Sequence, residues 1–159
     1  MIIDNEIVWM AGFFDGEGNI TINRMFSRAV NPVYNLLLTL VNTDKRTIPP
    51  FRERFGGSIR IRKSNFKDVH IWNITGKAAG NFLNQIYPYS MIKKEEIDIA
   101  NKFLALPKKG RGFSYGLKQR EQLLQELNSH HGGGFGRRGR PPTDRLLKFK
   151  EKLESKSDF

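Results

Sequence analysis

The chain has 159 residues, 12 of them phenylalanine, enough for one domain with a real core. It has no cysteine, which excludes a disulfide framework and thiolate metal sites, and its three histidines are too scattered for a zinc site. A net charge of +11 favours a polyanionic partner, nucleic acid foremost. The basic residues gather at 57–63, 93–94, 108–111 and the tail, which argues against charge kept only for solubility. No apolar run approaches membrane-spanning length and no basic leader opens the chain. The expected place of work is the compartment of synthesis, a prokaryotic cytoplasm or an organelle matrix, with no membrane partner.

In chain order, Ile7 to Gly18 opens as an apolar helix interrupted by glycines and ended by Asp15 and Glu17. Each glycine costs a lone helix about 1 kcal/mol, so close approach of another backbone is the expected return. Two acids at a helix C-terminus oppose the macrodipole, and a divalent cation is the simplest compensation. Asn19 to Phe26 alternates as a strand, with Ile20 and Ile22 on one side. A polar turn follows, then a second strand from Tyr34 to Asn42, with Tyr34, Leu36, Leu38 and Leu40 on one face. Thr43 or Asp44 suits a short helix cap, and a helix runs from near Pro49 to Gly56-Gly57.

Ser58 to Lys63 and Asp68 to Ile74 read as the third and fourth strands. Thr75 caps a helix that Pro88 stops, and Ser90 or Met91 opens another, with Ile92, Ile97, Ala100, Phe103, Leu104 and Leu106 at roughly helical spacing. After the loop at 108–112, a last core helix turns Leu117, Leu123, Leu124 and Leu127 inward. Residues 1–131 form the main domain, 132–142 a Gly/Arg-rich linker, and 143–159 an amphipathic helix and tail. The expected class is α+β: four antiparallel strands carrying helices on one face, the other face free for a partner.

Met10-Ala11-Gly12-Phe13-Phe14-Asp15-Gly16-Glu17-Gly18 resembles the LAGLIDADG motif of homing endonucleases. Ala11, Gly12, Asp15 and Gly18 match by identity, and the other five are conservative replacements. The resemblance spans roughly residues 5–128 and implies an αββαββα core with a saddle-shaped sheet. One motif implies a homodimer, with Val8, Ala11, Gly12 and Asp15 at the interface and Asp15 capping the partner's helix. A twofold dimer reads a nearly palindromic target.

The implied activity is site-specific hydrolysis of double-stranded DNA, encoded by an intron, with cuts across the minor groove that leave short 3′ overhangs. Glu17 is the implied metal ligand, helped by main-chain oxygen near Gly16, and Mg2+ the expected cofactor. Asp44 falls where such enzymes carry a polar residue, often glutamine; it adds metal affinity or caps a helix. Lys93, or Lys94 beside it, matches the basic residue near the scissile phosphate. Ile48 stands where the family has a second cation, which Arg46 is expected to replace. The alternative function is a splicing maturase holding intron RNA, or a DNA-binding protein that does not cut; a ribosome-associated basic protein explains the charge but not the acidic glycine-containing helix.

Strand parity sets the expected recognition face as Thr21, Asn23, Met25, Ser27, Asn35, Thr39, Arg60, Arg62, Asp68, His70 and Trp72. A two-stranded ribbon fits the major groove, where arginine suits guanine and asparagine suits adenine. In the linker, Arg138-Gly139-Arg140-Pro141 resembles the core of an AT-hook, a minor-groove binder, against the plainer reading of a basic linker. The helix near 144–154 is expected to clamp flanking DNA or dock on the body.

Overall fold

Residues 3–26, 31–107, 113–131 and 144–155 are described by a computed structural model of the chain. The elements are α1 (Asn5–Glu17), β1 (Gly18–Met25), β2 (Val33–Asn42), α2 (Pro49–Phe55), β3 (Ser58–Arg62), β4 (Val69–Thr75), α3 (Gly76–Ile86), α4 (Lys94–Ala105), α5 (Phe113–His130) and α6 (Asp144–Glu154). The strands form one antiparallel sheet in the order β1-β2-β4-β3, two hairpins joined through β2 and β4. Among the described residues no helix is long and apolar enough to cross a membrane.

Alternation in the sequence becomes two-sidedness in the sheet. Ile20, Ile22, Leu36, Leu38, Leu40, Trp72 and Ile74 are buried on one face, under the helices. There Phe14, Phe51, Phe55, Trp72 and Phe82 interlock, with ring centroids 4.9–5.9 Å apart in tilted and edge-on pairs. Pro49 and Pro50 sit in the first turn of α2, where no helical N–H is missed. Gly56 and Gly57 end that helix with φ of 79° and 85°, so that β3 leaves in a new direction.

The β1–β2 ribbon is tied down by polar contacts as well. Arg24 and Tyr34 both donate to the buried Glu121 carboxylate of α5, Tyr34 at 2.6 Å. Helix α6 docks on the same ribbon: Phe149 is buried with its ring edge-on to Phe26 at 6.0 Å, and Lys152 donates to Asn31 at 3.0 Å. Of the two roles expected for the tail helix, docking is the one observed. Ser27, the 108–112 loop and the linker with Arg138 and Arg140 lie outside the described residues.

Two expectations change. The helix expected from Ser90 or Met91 starts at Lys94, and Ile92, expected within its apolar spacing, precedes it and is 73% exposed. Thr75 is the N-cap residue of α3 but makes no side-chain capping bond; Gly76 follows with φ of 63°.

Candidate functional site

Helix α1 has two faces. Ile7, Met10, Ala11 and Phe14 are buried in the core. Val8, Gly12 and Gly16, spaced by four, lie on the open side, with Val8 38% and Trp9 42% exposed. Among the described residues, a Cβ added at Gly12 or Gly16 would meet nothing within 4 Å outside the helix's own backbone. Among the described residues these glycines therefore answer no packing need within the protomer. Ala11, expected at a dimer interface, is instead fully buried in its own core, because it lies one helical step off the glycine face.

Asp15 was expected to cap a partner's helix. It caps its own chain: Oδ1 accepts from Ser90 Oγ (2.5 Å) and the Lys93 amide (3.3 Å), and Oδ2 from the amides of Met91 (2.6 Å) and Ile92 (3.1 Å). Burial by itself raises its pKa, but these four donors outweigh it and hold the carboxyl below its ordinary value. With both oxygens used, Asp15 is a structural residue. It also pins the backbone of Lys93 to the end of α1.

Glu17, two residues on, is exposed, and β1 begins at the very next residue. The last carbonyls of α1, Gly16 included, have no further helical turn to bond. Hard oxygen donors of this kind suit magnesium. Among the described residues no cluster of three or more acidic or histidine side chains forms within one chain. Within the described residues Glu17 is thus a single exposed carboxylate at the open end of α1.

Asp44 and Arg46 come together, but with each other. The guanidinium grips both carboxylate oxygens, Nη2 to Oδ2 at 2.6 Å, and the Arg46 amide adds a bond to Oδ1 at 3.0 Å. The Arg46 guanidinium holds the Asp44 carboxyl far below the usual carboxylate range. Arg46, expected to replace the second cation, is thus paired with Asp44 on an exposed part of the chain. Ile48 is fully buried in the core. The Lys93 side chain is largely buried, 4.0 Å from Glu96, which also receives His131 at 3.0 Å; Lys94 is exposed with its ammonium over Tyr87 at 5.7 Å.

The face of the sheet away from the helices carries Asn19, Thr21, Asn23 and Met25 of β1 and Asn35, Leu37 and Thr39 of β2, as parity required. Arg60 and Arg62 are exposed on β3, on the same side. On β4 the expectation was one residue out. Trp72 pairs with Leu40 and Ile59, is fully buried, and donates its indole N–H to the Gly56 carbonyl at 2.8 Å. His70, opposite Asn42 and Ile61, shares that inner parity. Asp68 precedes the strand and pairs with Lys63 at 2.5 Å. The outward residues of β4 are Val69, Ile71, Asn73 and Thr75, and Thr39 Oγ1 donates to Asn73 Oδ1 at 2.9 Å.

No family model and no curated protein matches the chain. Solved structures do. The homing endonuclease I-CvuI, in complex with the I-CreI target, superposes with a TM-score of 0.73 at 15% identity, over 94% of this chain and 95% of that one. The archaeal intron-encoded homing endonuclease I-Vdi141I, complexed with DNA, gives 0.73 at 17%, over 96% and 98%. The LAGLIDADG homing endonuclease I-LtrWI, bound to target DNA, gives 0.66 at 20% over 82% of this chain and 47% of that one. Likeness at such low identity is likeness of backbone, and the chain has the fold of the LAGLIDADG homing endonucleases.

Proposed function

We propose that this chain is a site-specific double-strand DNA endonuclease of the homing type, acting as a magnesium-dependent homodimer on a long, nearly palindromic target. The observation that carries the reading is the end of α1: an exposed Glu17 beside a face opened by Gly12 and Gly16, within a fold shared with DNA-bound homing endonucleases. Two copies of α1 packed along their glycines bring two Glu17 carboxylates together, where repulsion is relieved by bound cations. Magnesium, when bound, neutralises phosphate charge at the scissile bond. Glu17, with main-chain oxygen near Gly16, holds it; Lys93, its backbone fixed by Asp15, supplies positive charge nearby, with Lys94 exposed beside it. The outer sheet face lies in the major groove and sets the register of the duplex.

The test is cleavage of the intron-free junction of the host gene, with magnesium, by wild type and Glu17→Gln. Both are expected to bind and only wild type to cut. Equal cutting by the variant would remove Glu17 from the chemistry. A second reading, binding of DNA or intron RNA without cutting, draws on the Asp44–Arg46 pair and the buried Ile48, which leave the second family cation without a counterpart. It takes over if both proteins bind and neither cuts.

A further inference from the structure

We infer that the β1–β2 ribbon selects A·T pairs in the outer part of each half-site, through thymine methyl contacts by Met25 and Val33 and adenine contacts by Asn23 and Asn35. The inference rests on the DNA-binding reading above and names what that surface prefers. Met25 stands directly opposite Val33, and Asn23 directly opposite Asn35, in two rows on the outer face. Their inward neighbours Arg24, Tyr34, Ile22 and Leu36 are packed or hydrogen-bonded to the body, so the register cannot slip without unmaking the core.

Met25 is 52% and Val33 51% exposed, an apolar pair held in solvent at the far end of the ribbon, next to the polar Asn23–Asn35 pair. In the major groove the one apolar feature offered by a base edge is the thymine 5-methyl. Met25 and Val33 have no hydrogen bond to offer a phosphate, so their row is suited to bases rather than backbone. The neighbouring Asn23 and Asn35 carry the paired donor and acceptor that match adenine N7 and its amino group. On β3 the outward residues are Arg60 and Arg62, whose chemistry suits guanine or phosphate instead.

Position follows from strand length. Met25 lies eight residues beyond Glu17 on an uninterrupted strand. At about 3.3 Å per residue the span is roughly 26 Å, or about eight base pairs at ~3.4 Å each. The A·T preference is therefore expected about five to eight base pairs from the cut, Asn23 and Asn35 acting nearer and Met25 and Val33 farther.

The experiment selects duplexes from a randomised library on the full chain, then replaces thymine by deoxyuridine at the enriched outer positions. Expected is A·T enrichment there, and a loss of about fourfold in affinity per methyl removed, the factor for one buried methyl group. The double variant Met25→Ser with Val33→Ser should bind thymine and uracil duplexes alike, while its thermal melt matches wild type. Duplex binding with G·C or no preference at those positions, or indifference of wild type to the methyl, overturns the inference and leaves the DNA-binding reading standing. Absence of duplex binding altogether overturns both.

Discussion

Asp15→Asn separates the structural acid of α1 from the proposed metal ligand two residues later. The carboxylate accepts four hydrogen bonds, two on each oxygen. An asparagine keeps one accepting oxygen and turns an NH2 toward the other two donors. Hydrogen bonds to a charged acceptor are worth about 1.5–3 kcal/mol each, and two are lost. Exposed Met91 and Ile92 can take water on their amides, which reduces the sum. A destabilisation of about 3 kcal/mol remains, roughly 6–12 °C in Tm for a chain of this size.

The sign of the pH dependence follows from the depressed pKa. A carboxyl whose folded value lies below its unfolded value of about 3.9 contributes fully above that pH and loses its contribution as pH falls through the folded value. Urea midpoints for wild type and variant should therefore differ by a constant amount from about pH 5 to 7 and converge as acid is added below about pH 4. A gap under about 1 kcal/mol at pH 7 would refute the cap argument. So would intact stability accompanied by loss of DNA cutting, because that pattern belongs to a metal ligand.

Three further outcomes follow from the geometry. Trp72→Ala should cost about 3–5 kcal/mol in urea unfolding while leaving the base preferences found by duplex selection unchanged, the reverse of what a base-contacting residue would do. Arg60→Ala should leave the melt unchanged and flatten the plot of log affinity against log salt by about 0.9; an unaltered slope and affinity would take Arg60 out of the interface. Gly12→Leu adds a side chain on the exposed face of α1, where a Cβ meets nothing within 4 Å among the described residues outside the helix's own backbone, so the monomer fold should persist. Sedimentation should show a dimeric wild type and a monomeric variant, and a variant that still dimerises would move the twofold away from α1.

Element types and order were legible in the sequence because hydrophobic period and turn residues agreed throughout; α6, for example, spans the residues its pattern marked. The errors share a different character. In Val69-His70-Ile71-Trp72-Asn73-Ile74 both faces mix polar and apolar residues, so period two cannot choose between them. The choice is made by distant partners: Leu40 across the ladder and the Gly56 carbonyl that takes the indole N–H. The start of α4 was hidden for the same reason. Its preceding turn, 90–93, is held by Asp15, more than seventy residues earlier in the chain. Ala11 and Gly12 are adjacent small residues of opposite fate, and only the packed helix tells which one looks outward. For the candidate site, the position of Glu17 was legible from the motif, but the mutual capture of Asp44 and Arg46 was not, since side chains two residues apart in a turn can as easily diverge.

The junction between α1 and β1 has no linker: Glu17 ends the helix, Gly18 begins the strand, and a Cβ on Gly18 would overlap the ring of Phe14. The proposed cutting group and the reading strand are thus one continuous piece of backbone clamped against the core, and they behave as a ruler with its zero mark at the carboxylate. Substitutions far along the ribbon can change which bases are preferred without moving the cut. Substitutions at Asn19 or Thr21 act close to the zero mark, where altered preference and altered rate come together. A lineage of such proteins would be expected to drift in target preference from the outside inward, the central base pairs last.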